Sequence, residues 1–553
     1  MTRRDILLVA ALFSFTALFH WHLGTFHSEF GRYADEGMHY VTGLMVHDYV
    51  LSGHWLHPVA FAKEYYLHFP KVGLGQWPPM FYLVQTAWTL IFGVSRQSLL
   101  FLMVLLTAAL AALVYREVEE RCSWIYAVLA VLLLIASPLT QAQTAMVMAE
   151  IPLAIFSFLA VLAWVRLLER GQERDAFWFA FWIVAALMTK GNAWAIVPVL
   201  PGTVVLTGRY DVLRNRNFWL AVGAVLVLTV PYNLYTLSIT SQGWDTTSIP
   251  EIDYLGASLV KHLEFVGDVL GLPVTCFAII GLIDRALLPL VRRKASAYWI
   301  ALALYAASIV VFHTLVPTSI EQRKIYQIVP VLCLFVVAGA DAIVRRLSPR
   351  FSPKPAGAAI AAIIAVLFLA TGFHFLSPFT PGFGPAVEKL IGREDTRDAA
   401  ILISSNGFMT DAEAAIISEW ASRERKAGTY LVRGTKLLIR IVAAEFEPRG
   451  AMVVAFHSEQ EGLRILDSVP ISYIIVHTTP ADRVYAHHAA LQRLLADTPA
   501  EWEKIYESRR MLDKPHDIQI YRCRRNLVGI PVHFGVDLSR KIGSSLDTGG
   551  ELK

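Results

Sequence analysis

Apolar runs close to membrane-crossing length recur along the first 380 residues of this chain. A span needs roughly 17–25 mainly apolar residues, and segments of about that size fall at 5–23, 98–115, 123–140, 151–168, 176–190, 192–207, 218–235, 269–288, 297–313, 325–344 and 357–376. A further apolar stretch, 78–93, is short and opens on Pro78-Pro79, which predicts a helix at the membrane interface. Residues 24–97 form a long loop after the first span, and within it GMHYVTGLMVHDYV (37–50) places apolar residues at helical spacing. That pattern predicts an amphipathic helix lying on the membrane.

After residue 385 the pattern changes. AAILISS (399–405), ISYIIVHT (471–478) and IQIYRC (518–523) read as buried strands, and DAEAAIISEWASRER (411–425) and VYAHHAALQRLLA (484–496) as amphipathic helices. The expected organisation is an α-helical polytopic membrane domain over 1–380 with about eleven transmembrane helices, a soluble α/β domain over 385–530, and a disordered tail over 531–553.

Composition agrees with this division. Hydrophobic residues make up 55% of the 553 and charged ones 17%, against about a quarter charged in a soluble chain. Four scattered cysteines, Cys122, Cys276, Cys333 and Cys523, suit neither a disulfide framework nor a zinc site. The N-terminus carries Arg3 and Arg4 and then an apolar run to Leu23 with no small-residue cleavage site behind it, which predicts an uncleaved first span.

Charge then orients the spans. With 78–93 at the interface, alternate loops hold Arg3/Arg4, Arg116/Arg121, Arg166/Arg170/Arg174, Arg209/Arg214/Arg216, Arg285/Arg292/Arg293/Lys294 and Arg345/Arg346/Arg350/Lys354. These loops are cytoplasmic by the positive-inside rule. The opposite loops are nearly free of Lys and Arg: 141–150 has none and 236–268 only Lys261. Asp35-Glu36, Glu150, Lys190 and Arg323-Lys324 all fall on this second, external face, beside the α/β domain. Charged groups gathered from distant segments at one membrane face suggest a site. The spans hold almost no ionisable residue at mid-depth, which argues against the alternative of a coupled transporter or lipid flippase with an external accessory domain.

Each charge also has a plainer reading. Asp35 suits the N-cap of the helix it precedes, Glu150 the start of the helix opened by Pro152, and Lys190 a snorkelling helix end. The first loop holds six histidines, His27, His39, His47, His54, His57 and His68, without a recognised ligand spacing, so no cofactor is assigned and a divalent metal stays open. The α/β segment lacks GxGxxG and P-loop signatures and reads as an accessory domain. Nothing points to nucleic acid.

Residue by residue, the membrane part resembles the GT-C glycosyltransferases, nearest to the protein O-mannosyltransferases and the lipid A 4-amino-arabinose transferase. The resemblance runs over about residues 5–376 and rests on ADEGMHYVTG, QWPPMFYLVQTAWTLIFG, MAEIPLAIFSFLA, ALMTKGNAWAIVP, VPYNLY and EQRKIYQIVPVLCLF, in that order. It implies transfer of a sugar from a polyprenyl-phosphate donor to a lipid, glycan or protein acceptor outside the cytoplasmic membrane. It also implies Asp35, with Glu36 beside it, as the acceptor-side carboxylate. Glu150 stands where relatives carry Asp. Lys190, Arg323, Lys324 and Tyr326 are implied at the lipid phosphate, although relatives show Arg-Tyr where this chain has Arg-Lys.

Overall fold

The computed structural model describes the chain except residues 1–2, 54, 241–251, 317–318, 348–351, 407–411, 427, 442–451, 480–484, 509–516, 528, 539–543 and 548–553. Among the described residues, eight helices are long and apolar enough to cross a membrane: Arg3–His22, Arg96–Arg121, Glu150–Arg170, Arg216–Ile239, Leu272–Val291, Ala297–Leu315, Gln322–Leu347 and Lys354–Thr371. The expected span at 123–140 is a pair, Trp124–Ala136 and Pro138–Thr144, bent by 62° where Ser137-Pro138 interrupts the backbone ladder. The expected spans 176–190 and 192–207 are shorter: Glu173–Leu187 is a 15-residue helix, and a 3-10 turn Gly191–Ile196 leads into the nine-residue helix Val199–Thr207.

The first loop departs from the expected amphipathic surface helix. Ala34–Ser52 is a helix, but Glu36, Gly37, His39, Tyr40, Val41, Thr42, Gly43, Leu44 and His47 are all buried, so it is enclosed rather than laid on lipid. Two glycines make this packing possible. A Cβ on Gly37 would stand 2.6 Å from Ser418 Oγ and 2.7 Å from the Ala414 carbonyl, and one on Gly43 would strike the Gln85 side chain. Gln85 belongs to the short apolar helix Met80–Phe92, where the interfacial helix 78–93 is expected.

Beyond residue 383 the sheet is ordered β2-β1-β5-β7-β6. Its strands are β1 (Ala400–Ser405), β2 (Tyr430–Arg433), β5 (Ile471–Thr478), β6 (Trp502–Glu507) and β7 (Asp517–Cys523); the intervening β3 (Ile439–Ile441) and β4 (Met452–Val454) pair separately. β1 is parallel to β2 and β5, and β7 is antiparallel to β5 and β6. Helices Ala412–Arg423 and Ala486–Asp497 stand where the sequence predicts two. β2 and β6 carry little sequence signal because one has only four residues and the other is polar along most of its length, WEKIYE. Within the segment expected to be a disordered tail, Gly535–Leu538 and Ser544–Asp547 pair antiparallel.

Helix Ala412–Arg423 docks the α/β unit on the first loop. Glu419 Oε1 accepts the Phe30 N–H at 3.1 Å, Arg425 Nη1 meets Asp48 Oδ1 at 2.7 Å, and Glu29 Oε2 accepts the N–H groups of Gly382 and Phe383 at 2.7 Å each. The unit therefore packs along the same helix that carries Asp35.

Candidate active site

Four segments distant in sequence end at one place. They are the first turn of Ala34–Ser52, the start of Glu150–Arg170, the break between Leu187 and Gly191, and the 3-10 turn Gln322–Ile328. Helix ends at such a junction leave backbone groups and charged side chains to one another rather than to lipid. Arg323 is the hub. Its Nη2 lies 2.7 Å from Asp35 Oδ2, its Nη1 3.4 Å from Glu150 Oε1, and its Nε donates to Glu321. Lys190 Nζ reaches the same Glu150 oxygen at 2.6 Å. The Arg323 guanidinium also stands 5.0 Å from the centre of the Tyr33 ring, a cation–π arrangement.

Access within the cluster is uneven. The Asp35 side chain is 28% exposed, whereas Glu321, Arg323 and Glu150 are at 19%, 8% and 3%. Asp35 is thus the most reachable of the three carboxylates. Burial pushes its carboxyl up, but Arg323 and then Lys190 outweigh that and hold it well below the usual carboxylate range. Glu321 is likewise held low, Arg323 overcoming the burial that would raise it. Glu150 Oε2 is buried without a partner, so one acceptor of the cluster stays open.

Asp35 is not an N-cap. Tyr33 occupies that position without a side-chain capping bond, and Asp35 lies in the first turn. Glu150 follows its N-cap, Ala149, and faces cations instead of capping. Lys190 is 9% exposed and ion-paired, which excludes snorkelling to the interface. Lys324 donates Nζ to the Ser319 carbonyl, beside Glu321. Tyr326 is fully buried and makes none of these contacts.

Glu36 is separate from the cluster. It is fully buried, pairs with Arg96 at 2.8 Å, and accepts the N–H groups of Gly31 at 3.3 Å and Val147 at 3.4 Å. Arg96 also bonds the carbonyls of Ser28 and Ala145 and lies 4.9 Å from the centre of the Phe30 ring. This is a latch that fastens the first loop to the helix Arg96–Arg121. Sequence reading alone misses Arg96 and Glu321. The first sits at a helix start like any interfacial arginine, and the second lies inside EQRKIYQ with no partner that a linear pattern could assign to it.

Among the described residues no three of His, Cys, Asp and Glu stand close enough to hold a metal ion. Asp35 and Glu150 each face Arg323. The loop histidines disperse: His47 bonds Thr89 Oγ1 at 2.9 Å, His68 bonds the Thr429 carbonyl at 3.0 Å, and His54 lies outside the described residues. Among the described histidines of this loop, His39 joins the neighbourhood of Asp35, one helical turn along.

Comparison with known proteins agrees with the architecture. Residues 76–235 match the family described as dolichyl-phosphate-mannose-protein mannosyltransferase, a stretch that includes Glu150 and Lys190 but stops short of Arg323. ArnT from Cupriavidus metallidurans in the apo state superposes with a TM-score of 0.55 at 14% identity, covering 92% of this chain and 97% of that one. The same protein bound to undecaprenyl phosphate gives 0.54 at 13%, with the same coverage of both chains. The Archaeoglobus fulgidus oligosaccharyltransferase, tethered to an acceptor peptide, gives 0.45 at 12%, covering 72% of this chain and 60% of that chain. No curated protein matches the sequence. The fold is that of the GT-C glycosyltransferases, with a sheet-containing unit after the membrane-spanning part.

Proposed function

We propose that this GT-C-fold membrane protein is a glycosyltransferase that moves a sugar from a polyprenyl-phosphate donor to an acceptor hydroxyl by a single inverting displacement. The observation that carries the reading is the shared clamp: one reachable carboxylate, Asp35, and two nearly buried cations, Arg323 and Lys190, joined through Glu150. ArnT, a protein of this fold, binds undecaprenyl phosphate in one of its structures, which supports the donor class.

The chemistry assigns each group a task. The acceptor oxygen attacks the anomeric carbon as the bond from that carbon to the phosphate oxygen breaks. The electron pair leaves on the phosphate, and the hydroxyl proton passes to Asp35. A positioned carboxylate can take that proton in the transition state, and Arg323, Lys190 and Lys324 neutralise the charge growing on the departing phosphate. Glu150 and Glu321 occupy the cations until a donor phosphate competes for them. When Arg323 turns toward the phosphate, it releases Asp35 and makes that carboxylate a stronger base.

The distribution of arginines supports the proposed localisation. The helix ends opposite the cluster bring Arg4 to Glu119 at 2.5 Å, Arg121 to Glu117 at 2.9 Å, and Arg345 to Asp341 at 3.1 Å. A basic face of this kind suits the cytoplasmic side, and this supports the reading in which the Asp35 cluster and the α/β unit face the external side of a cytoplasmic membrane. Mass spectrometry of envelope glycans in a deletion strain tests the reading. A missing glycoform together with an accumulated polyprenyl-phospho-sugar is expected, and unchanged glycans and donor lipids overturn it.

A further inference from the structure

The imidazole of His39 has no part in the transfer just described, yet it stands within electrostatic reach of Asp35, Glu150, Lys190 and Arg323. It is 1% exposed and sits on the helix Ala34–Ser52 four residues after Asp35, so the two side chains share one face. Its Nδ1 bonds the Tyr82 hydroxyl at 3.1 Å, and its ring lies 4.3 Å from the Trp77 ring at an interplanar angle of 33°. The other nitrogen, Nε2, is buried with no partner. A buried, unpaired ring nitrogen has given up the hydrogen bond that water would supply, and such a group in a native site calls for an explanation.

The ring is neutral: burial, and after it Lys190, lowers its pKa to about 3. A neutral imidazole has one donor and one acceptor nitrogen, with the roles set by the bond at the other nitrogen. Cations and carboxylates each fit only one of those tautomers, whereas a hydroxyl fits both. The attacking hydroxyl is the wrong one. Its oxygen must keep a lone pair for the anomeric carbon while its proton goes to Asp35, and a further N–H directed at it opposes attack. A spectator hydroxyl of the transferred sugar has no such conflict, and the Trp77 ring beside His39 supplies an apolar wall next to the polar nitrogen.

We infer that His39 Nε2 is a sugar-recognition group, hydrogen-bonded to a ring hydroxyl of the transferred sugar that does not itself react. The assignment rests on the glycosyltransferase reading above and adds to it a residue that selects the sugar. Tyr82 is then a positioning residue that holds the ring through Nδ1. A site built to bond a hydroxyl discriminates strongly against the analogue that lacks it, because its own polar group is left unpaired.

The test uses the full-length protein in detergent or nanodiscs, with undecaprenyl phosphate alone as the binding probe. The donors are undecaprenyl-phosphate-linked sugars, intact and singly deoxygenated around the ring. For His39→Phe the expected result is a small fall in melting temperature, because the Tyr82 hydroxyl loses its bond to Nδ1, with undecaprenyl phosphate binding unchanged and kcat/KM lowered about 100-fold on the intact donor. One deoxy donor should be equally poor with wild type and variant, and that position names the hydroxyl. His39→Gln, which keeps a hydrogen-bonding tip, should recover part of the rate. Wild-type transfer rates in His39→Phe, a deficit of the same size on every deoxy donor, or a large fall in melting temperature that His39→Gln shares overturn the inference. Failure of the wild type to bind undecaprenyl phosphate or to transfer from any donor overturns the glycosyltransferase reading instead, and the role of His39 falls with it.

Discussion

Asp35 and Glu36 are adjacent in sequence and belong to two different machines. Asp35 is more than a quarter exposed and held by Arg323, a cation it shares with Glu150 and Glu321. Glu36 is sealed, and its oxygens go to Arg96 and two backbone N–H groups. A carboxylate with one shared cation and partial access can exchange partners when substrate arrives. One whose partners are all fixed and buried cannot, because each lost bond would strand a charge away from water. Adjacent helix residues point about 100° apart, and that angle is enough to send one acid to the cluster and the other to the latch. On the proposed function, the number of exchangeable partners, more than burial or charge, separates the acid that works from the one that fastens the loop.

Substitutions at the two positions should therefore fail in different ways. Asp35→Asn keeps the shape and removes the proposed base, so transfer should fall about 10²–10⁴-fold while the melting temperature and undecaprenyl phosphate binding stay near wild type. Near-normal transfer by that variant would erase the distinction from the Asp35 side. Glu36→Gln should do the reverse, leaving Arg96 buried and unpaired at a cost of about 3–5 kcal/mol, read as a large drop in melting temperature or in folded yield. Replacing both partners by Met should recover much of that stability, and a Glu36→Gln protein that melts like wild type would show that no latch exists.

The smallest effect concerns pH. Asp35 is held below the ordinary carboxylate value, so its ionised, active form persists as pH falls and is lost only below the usual range of about 3.9. The acid limb of kcat/KM should accordingly lie below that value in the wild type. Arg323→Met removes the main cation, so the limb of the residual activity should move up by about one unit. A limb that stays put would mean that some other group titrates.

Several features are legible in the linear chain. The apolar runs locate the membrane-spanning helices because lipid tolerates no unsatisfied backbone over that length, and apolar runs bounded by polar segments mark β1, β5 and β7. Asp35, Glu150, Lys190 and Arg323 can be gathered on one face because charge bias fixes the sense of each span. The enclosed helix Ala34–Ser52 reads from its own sequence as a surface helix, because its burial depends on a helix nearly 400 residues away, docked where Gly37 leaves room. No local pattern reports that contact.

The sequence by itself therefore determined which segments enter the membrane, and it gathered most of the charges that meet at one end of the bundle. Hydropathy and charge act over a single span or loop, and a linear pattern records them. Only the tertiary structure decided which charge meets which. It made Arg323 the hub, sent Glu36 to Arg96, left Tyr326 in the core and brought His39 to the cluster. Those outcomes depend on the rotation of each helix about its axis and on distances of about 3 Å between residues remote in the chain.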